Sequence, residues 1–527
     1  MADYAVESLR NIAVVGHNAA GKTTLVEHLL FKAGRTNRLG SVDDKTSILD
    51  YEDQERERRV TIDSALAWLD WKKVRVNFID CPGSLDFVAD AIGGLQVVET
   101  AVITIAAPAG IELNTRRMWK ASAGRARIIV ITKMDADNIT DHAATLAKIQ
   151  EVFGAQCVPV NMPVGVGASF KGVASVLAQD QQAEGIEDAR TQLMDVIAES
   201  DEALMERYLN EEKISPEEIA AALRKAVAEG KVAPVFHCSG RSGVGLEELL
   251  DGLAALAPSP LDAPARKGLN AKDGSEIELK PDPAAPLVAQ VFKSLTDPFV
   301  GKLAYFRVLS GTFKADSTVY NSRSGRNERV GQVLKPFGKD TETTPGVIAG
   351  DFGAVSKIDD IQIGDAFCVA DRAVKIPAIK YPTPMVSLAV MPRSRNDEQK
   401  IGQSVAKLAT ECPTFIFNRD AQTHELVVTG MSQRHVDVMI ARLKSRFQVE
   451  VDTKEPKIPY KETISAKGEA QYRHKKQTGG SGQFAEVWLK VEPLERGAGF
   501  EFVDEIVGGA IPNQFIPAVE KGVREQM

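Results

Sequence analysis

Residues 16 to 23 read Gly16-His17-Asn18-Ala19-Ala20-Gly21-Lys22-Thr23, a G-x-x-x-x-G-K-T run between an apolar stretch, Asn11 to Val15, and a segment that suits a helix from about Lys22. This run restricts the fold severely. A strand must deliver the chain to a tight turn and a helix must leave it, so that backbone N–H groups converge on phosphate oxygens at the helix N-terminus. Lys22 is then expected to reach the β and γ oxygens and the Thr23 hydroxyl to ligate Mg2+, with Thr24 beside them in the nucleotide-binding set. The run predicts a nucleoside triphosphate site on an α/β domain.

The partners of that loop lie farther along. Asp80-Cys81-Pro82-Gly83 follows a second apolar strand, Val74 to Ile79, itself preceded by Ala65 to Trp71. An aspartate at such a strand end holds Mg2+ through water, and the turn after it is where a γ-phosphate can draw in a backbone N–H, which makes it a ligand-sensing switch. Thr132-Lys133-Met134-Asp135 follows the strand Arg127 to Ile131. A carboxylate at Asp135 can accept from the N1–H and exocyclic amine of guanine, a pair that adenine does not offer, while the Lys133 stem lies along the base. GTP or GDP with Mg2+ is the expected cofactor set.

With 527 residues the chain exceeds what one core supports. Its hydrophobic content of 44% and charged content of 26% are those of a globular protein, and no apolar run has membrane-spanning length. The Met1-Ala2-Asp3-Tyr4 start lacks signal-peptide character, so a cytoplasmic address without membrane association is expected. Five scattered cysteines without a C-x-x-C spacing predict buried free thiols rather than disulfides or zinc. A net charge of −8 excludes general polyanion binding, and no DNA partner is expected. The local exception is Arg473-His474-Lys475-Lys476, which runs into a Gly-rich turn, Gln477 to Gln483.

Changes of hydrophobic period divide the chain. Residues 1–258 alternate short apolar strands with amphipathic helices, the pattern of a parallel sheet with crossovers. Within them, about 165–230 reads as a helical insert, with a polar break at Gln179 to Gln182 and helices over Ile186 to Leu209 and Ser215 to Ala228. Prolines from Pro258 to Pro286 mark a linker. Residues 285–372 carry strand-like runs, including Leu303 to Leu309, Ser317 to Asn321 and Arg329 to Leu334, and predict a small β-barrel. Residues 384–454 read strand, helix, strand, helix, strand, with Asn396 as cap of the first helix, which suits a ferredoxin-like α+β sandwich. His435 in the second helix is expected to be structural, since no second ligand or nucleophile lies at helical spacing.

On these motifs the chain resembles translational GTPases of the elongation factor G family. The likeness also rests on Arg58-Arg59-Val60-Thr61-Ile62, Asp86-Phe87 and Cys238-Ser239-Gly240, and on Thr296 to Leu303 and Gln477 to Gln483, which are similar to segments of the family's second and fourth domains. The resemblance implies a multidomain protein: a phosphate-loop GTPase domain, a β-barrel, a ferredoxin-like domain, and in residues 456–527 part of a further α+β domain. It implies the ribosome, its RNA and proteins, as partner. It makes Thr61 the switch residue that closes on Mg2+ and the γ-phosphate, and assigns the Ser239 backbone to the guanine oxygen. If the fourth domain is partial, Phe500, Phe502 and Val503 are expected to be exposed.

Four positions depart from the family pattern. Ser84 stands where the principal translocases place a histidine that positions the attacking water, and a serine is shorter and never cationic. Ala19 replaces an aspartate of the phosphate loop, Thr132 an asparagine that ties the base loop to the phosphate loop, and Arg59 a glycine of the first switch. Catalytic roles are therefore expected for Lys22, Thr61 and, altered, Ser84, with slow hydrolysis. Two functions stay open: a GTPase that drives a ribosomal step such as translocation or disassembly, and a hydrolysis-poor regulatory or ribosome-protection protein.

Overall fold

The computed structural model describes residues 4–527 apart from 140–141, 179, 211, 213, 298–300, 359, 461, 478–479 and 481. Part of the family-like segments at 296–303 and 477–483, and Gln179 of the polar break, fall outside the described residues. Two compact units are formed, residues 1–456 and 457–527.

The first unit opens with a seven-stranded sheet. Its elements are β1 (Leu9–Gly16), α1 (Lys22–Lys32), the short α2 (Asp53–Arg58), β2 (Ala65–Trp71), β3 (Val74–Asp80), α3 (Val88–Gln96), β4 (Thr100–Ala106), α4 (Leu113–Ala121), β5 (Ala126–Thr132), α5 (His142–Phe153) and β6 (Cys157–Pro159). Spatial order is β2, β3, β1, β4, β5, then the strand Ala233–His237, then β6. All neighbours are parallel except β2 and β3. β1 and β4 are buried along their whole length, which is why they read as unbroken apolar runs: helices cover both faces of a parallel sheet. The loops that emerge from the carboxyl ends of β1, β3, β5 and Ala233–His237 meet at one edge and form the site.

Two expectations for the insert change. Its first part is a strand, Gly172–Ser175, paired with Asn161–Val164. The single helix expected over Ile186 to Leu209 is two, Ile186–Ser200 and Glu202–Leu209, because Asp201 leaves helical geometry and its carboxylate accepts from Leu204 N, capping the second. The helix Pro216–Ala228 begins at a Ser215/Glu218 capping box.

The linker is also more ordered than its prolines suggest. Arg266–Asn270 and Glu276–Leu279 form a hairpin that takes Val374–Lys375 as a third strand. Next comes an eight-stranded antiparallel sheet curled into a half-closed barrel around Phe306, Phe313 and Phe367, with the first two rings stacked at 4.2 Å. The strand expected over Arg329 to Leu334 is the end of one, Arg326–Val330, and the start of another, Val333–Phe337, split at Gly331. A buried polar network fastens the barrel to the GTPase sheet. Glu99, the residue before β4, accepts from Arg307 (2.7 Å) and Asn11 (2.8 Å), and Asn77 donates to Asp351 (3.0 Å).

Residues 386–454 form the expected sandwich with one addition. The edge strand Ile416–Arg419 completes a four-stranded sheet. All four of its residues are exposed, so no in-out alternation announces it. Ser394, not Asn396, caps the first helix, Arg395–Glu411, by accepting from Asp397 N (3.2 Å). His435 is structural as expected: it is buried, its Nδ1 accepts from Met431 N (3.0 Å), and burial lowers its pKa to about 4.

The second unit holds an antiparallel hairpin, Gly468–Lys476 with Gln483–Val491, and a terminal helix, Ile516–Gln526. No side chain among its described residues is buried. Val503 is 64% exposed, whereas Phe500, beneath the Arg524 guanidinium at 4.2 Å, and Phe502 are half-buried. No described helix of the chain is long and apolar enough to cross a membrane. All five cysteines are free, four of them buried and Cys412 half-buried.

Candidate guanine-nucleotide site

The phosphate loop closes as the sequence requires. Gly21 caps α1 in the left-handed region at φ 83°, and Ala19 is held there too, at φ 58°, where a side chain costs conformational energy. Lys22 is buried, donates to His17 O at 2.8 Å, and its pKa is pushed down by burial. Gly83 sits so close that a Cβ would lie 2.2 Å from Lys22 Nζ, 2.6 Å from His17 O and 2.8 Å from Asn18 N; the turn after Asp80 therefore needs glycine for approach. Pro82 is buried beside it, and Cys81 turns its thiol into the core toward Ile79 O, away from the nucleotide set in which the motif placed it.

Three residues far apart in sequence meet here. Thr23 Oγ1 donates to Asp80 Oδ2 (2.7 Å) and lies 3.0 Å from Thr61 Oγ1. Asp80 is fully buried and its Oδ1 has no hydrogen-bond partner. Burial first, then the charge of Asp50, push the Asp80 pKa up to about 7, and burial raises Asp50 to about 6. Such a set of hard oxygen donors with an orphaned carboxylate oxygen fits Mg2+. Among the described residues no three His, Cys, Asp or Glu side chains form a metal-binding group.

At the base end, Thr132 makes the tie for which its family counterpart is an asparagine. Its hydroxyl donates to Ala20 O at 2.7 Å, joining β5 to the phosphate loop. Lys133 is exposed in the left-handed region (φ 59°) and Asp135 is half-buried. Ser239, whose backbone the resemblance assigned to the guanine oxygen, donates its N–H to Val244 O (2.9 Å), and its hydroxyl accepts from Arg241 N and Ser242 N, so its side chain shapes the loop. Gly240 follows it, with Thr24 Cγ2 3.5 Å from where its Cβ would stand.

The third side is where the departures matter. Ser84 Oγ donates to Asp86 Oδ2 (2.7 Å) and caps the short turn Leu85–Phe87, so its hydroxyl serves the backbone of the switch. Asn114, which the motifs did not single out, is buried at the start of α4. Its Nδ2 donates to both Gly16 O (3.1 Å) and Gly83 O (2.9 Å), bridging the phosphate loop to the switch turn. His17 Nε2 lies 3.3 Å from Glu112.

The first switch is fixed by contacts that sequence reading missed. Buried Glu55 of α2 accepts from Ile62 N (2.9 Å) and Asp63 N (3.0 Å), folding the segment that carries Thr61 back on its own helix. Glu27 of α1 accepts from Ser47 Oγ (2.6 Å) and Ile48 N (2.7 Å). Ile62 and Phe87 pack on Val438 of the helix Gln433–Phe447. On the same face His435 meets the Phe87 ring edge-on at 5.8 Å, and Arg442 and Arg446 follow. Their spacing of three, four and four is a helical stripe present in the sequence; only the docking gives it a target.

Profiles of four domain families match in chain order: elongation factor Tu GTP-binding domain over residues 7–259, elongation factor G domain 2 over 286–370, domain III over 381–455 and domain IV over 456–527. An elongation factor G-like protein of Thermotoga maritima is 36% identical, with 99% of this chain and 78% of that relative covered. The chain belongs to the elongation factor G family. A crystal structure of a Thermus thermophilus protein superimposes with a TM-score of 0.83 at 31% identity, covering 98% of this chain and 77% of that one. Guanine nucleotide binding and GTP hydrolysis come with the family's first domain, and the three domains after it are those of the translational GTPases.

Proposed function

We propose that the chain is a ribosome-directed GTPase that couples GTP binding and hydrolysis to a ribosomal step such as translocation or disassembly. The convergence of Thr61 on Thr23, and of Thr23 on Asp80 with its orphaned carboxylate oxygen, carries this reading, because Thr61 reaches Thr23 only when the first switch is folded. Lys22 and the loop from Gly16 to Thr23 hold the phosphates, Asp135 selects guanine, and Thr23, Thr61 and Asp80 would hold Mg2+. That ion, when bound, neutralises charge on the phosphates.

What this chain's residues do for hydrolysis is mainly positioning. Asn114 locks Gly83 to the phosphate loop, placing the turn against the terminal phosphate. Ser84, engaged with Asp86, offers no imidazole toward an attacking water, so turnover is slow without help from a partner. The same observation favours the second reading, a GTP-loaded regulatory or protection protein that acts by occupancy. Measuring GTP turnover with and without ribosomes separates them. Stimulation by ribosomes is expected; GTP-dependent ribosome binding with no stimulation would replace the first reading by the second.

A further inference from the structure

The cationic stripe of the helix Gln433–Phe447 does more than fasten domains. Arg442 is 2% exposed and its guanidinium Nη2 lies 2.6 Å from Asp63 and 3.5 Å from Glu52. Asp63 stands two residues after Thr61, and Glu52 is the N-cap of α2. Arg446 pairs with Glu52 as well and reaches Glu411 at 2.8 Å, whose other oxygen accepts from Thr296 N (2.8 Å) in the barrel. Lys293 of the barrel donates to Ser64 O. Both ends of the segment that presents Thr61 are thus gripped by cations from outside the GTPase domain.

Against that grip works the backbone. Arg59 caps α2 at φ 53°, ψ 42°, left-handed geometry that a glycine adopts freely and an arginine does not.

We propose that Arg442 is a positioning residue for Thr61: by holding Asp63 and Glu52 it keeps the first switch folded against the strain at Arg59, and so sets how strongly the site prefers GTP over GDP. The inference rests on the reading of Thr61 as γ-phosphate sensor. Arg442 acts through Asp63 and Glu52. Its planar fork, desolvated beside two carboxylates, holds them in a geometry that a lysine reproduces only in charge. Removing it takes the guanidinium away from Asp63 and leaves Glu52 to Arg446 alone, which favours the unfolded switch.

The test is titration of the full chain, with Mg2+, by fluorescent GDP and by a fluorescent non-hydrolysable GTP analogue. Arg442→Gln should weaken the analogue about tenfold or more while GDP affinity stays within about twofold, since a GDP-bound site makes no use of Thr61 at the γ position. Arg442→Lys should recover part of the loss. Arg59→Gly should strengthen the analogue about threefold, in the wild-type and in the Arg442→Gln background alike. Asp63→Asn, altered on the switch side, should reproduce the selective loss, and it decides the matter if Arg442→Gln does not fold. Equal weakening of GDP and analogue, or no change in either, would overturn the proposal, as would weaker analogue binding by Arg59→Gly. Failure of the wild-type chain to bind both guanine nucleotides would sink the reading of the site itself.

Discussion

Replacing Glu99 by Gln tests whether the barrel is electrostatically locked to the GTPase sheet. Glu99 is 5% exposed and receives Arg307 Nη2 at 2.7 Å, Asn11 Nδ2 at 2.8 Å and Arg266 Nη2 at 3.4 Å. Burial alone would raise its pKa, but Arg307 and Arg266 outweigh burial and hold it below the ordinary value of 4.5. The glutamine keeps the volume and can accept one of these bonds, yet it turns an amide donor toward a guanidinium that is 2% exposed and, among the described residues, has no other carboxylate at salt-bridge distance. An uncompensated buried charge of this kind costs ~3–5 kcal/mol. Urea denaturation at pH 7.5 should show that loss in the transition of the GTPase and barrel domains. The double change Glu99→Gln with Arg307→Met should recover most of it, because the stranded charge is gone. Glu99 has its pKa depressed in the fold, so its contribution is complete above pH 4.5 and is lost as pH falls through the folded value; Glu99→Gln should flatten the acid limb of stability in that window. A single-variant loss below ~1 kcal/mol, or additive losses in the double variant, would refute the reasoning.

Three further outcomes concern the nucleotide. Asp135→Asn should weaken guanine nucleotides and admit xanthine, since an amide donor then faces the base where an acceptor is required; competition titrations with GTP, ATP and XTP would expose the error if ATP already equals GTP in the wild type. Ser84→His should raise single-turnover GTP cleavage while nucleotide affinity stays nearly constant, and a flat or lower rate would show that the limiting defect lies elsewhere. Thr132→Val removes the hydroxyl that donates to Ala20 O; it should raise the Kd for GDP by about 3–10-fold, and unchanged binding would mean that the tie is idle.

Much of the architecture was legible because each element carries its own period. β2, the strand Ser317–Asn321, the strand Leu426–Gly430 and the helix Gln433–Phe447 have the bounds expected from the sequence. Where the pattern was silent the expectation failed. Ile416–Arg419 is an exposed edge strand, the hairpin at 266–279 hides among prolines, and Asp201 breaks a helix whose apolar spacing continues through it.

The site divides along the same line. The sequence by itself marked the G-x-x-x-x-G-K-T loop, the strand-end Asp80 and the segment Thr132 to Asp135 that we propose reads the base, since each is a short run whose backbone must bend or whose atoms must face a ligand in one way. It also announced the family through segments beyond the nucleotide motifs. Only the tertiary structure decided which side chains support that chemistry. Asn114 bridges Gly16 and Gly83, the Ser84 hydroxyl is spent on Asp86, Ser239 shapes a loop, and Arg442 holds the switch from 379 residues away. The reason is physical: buried polar groups must find partners when water leaves, and which donor lies beside which acceptor is fixed by packing between domains that no local pattern encodes.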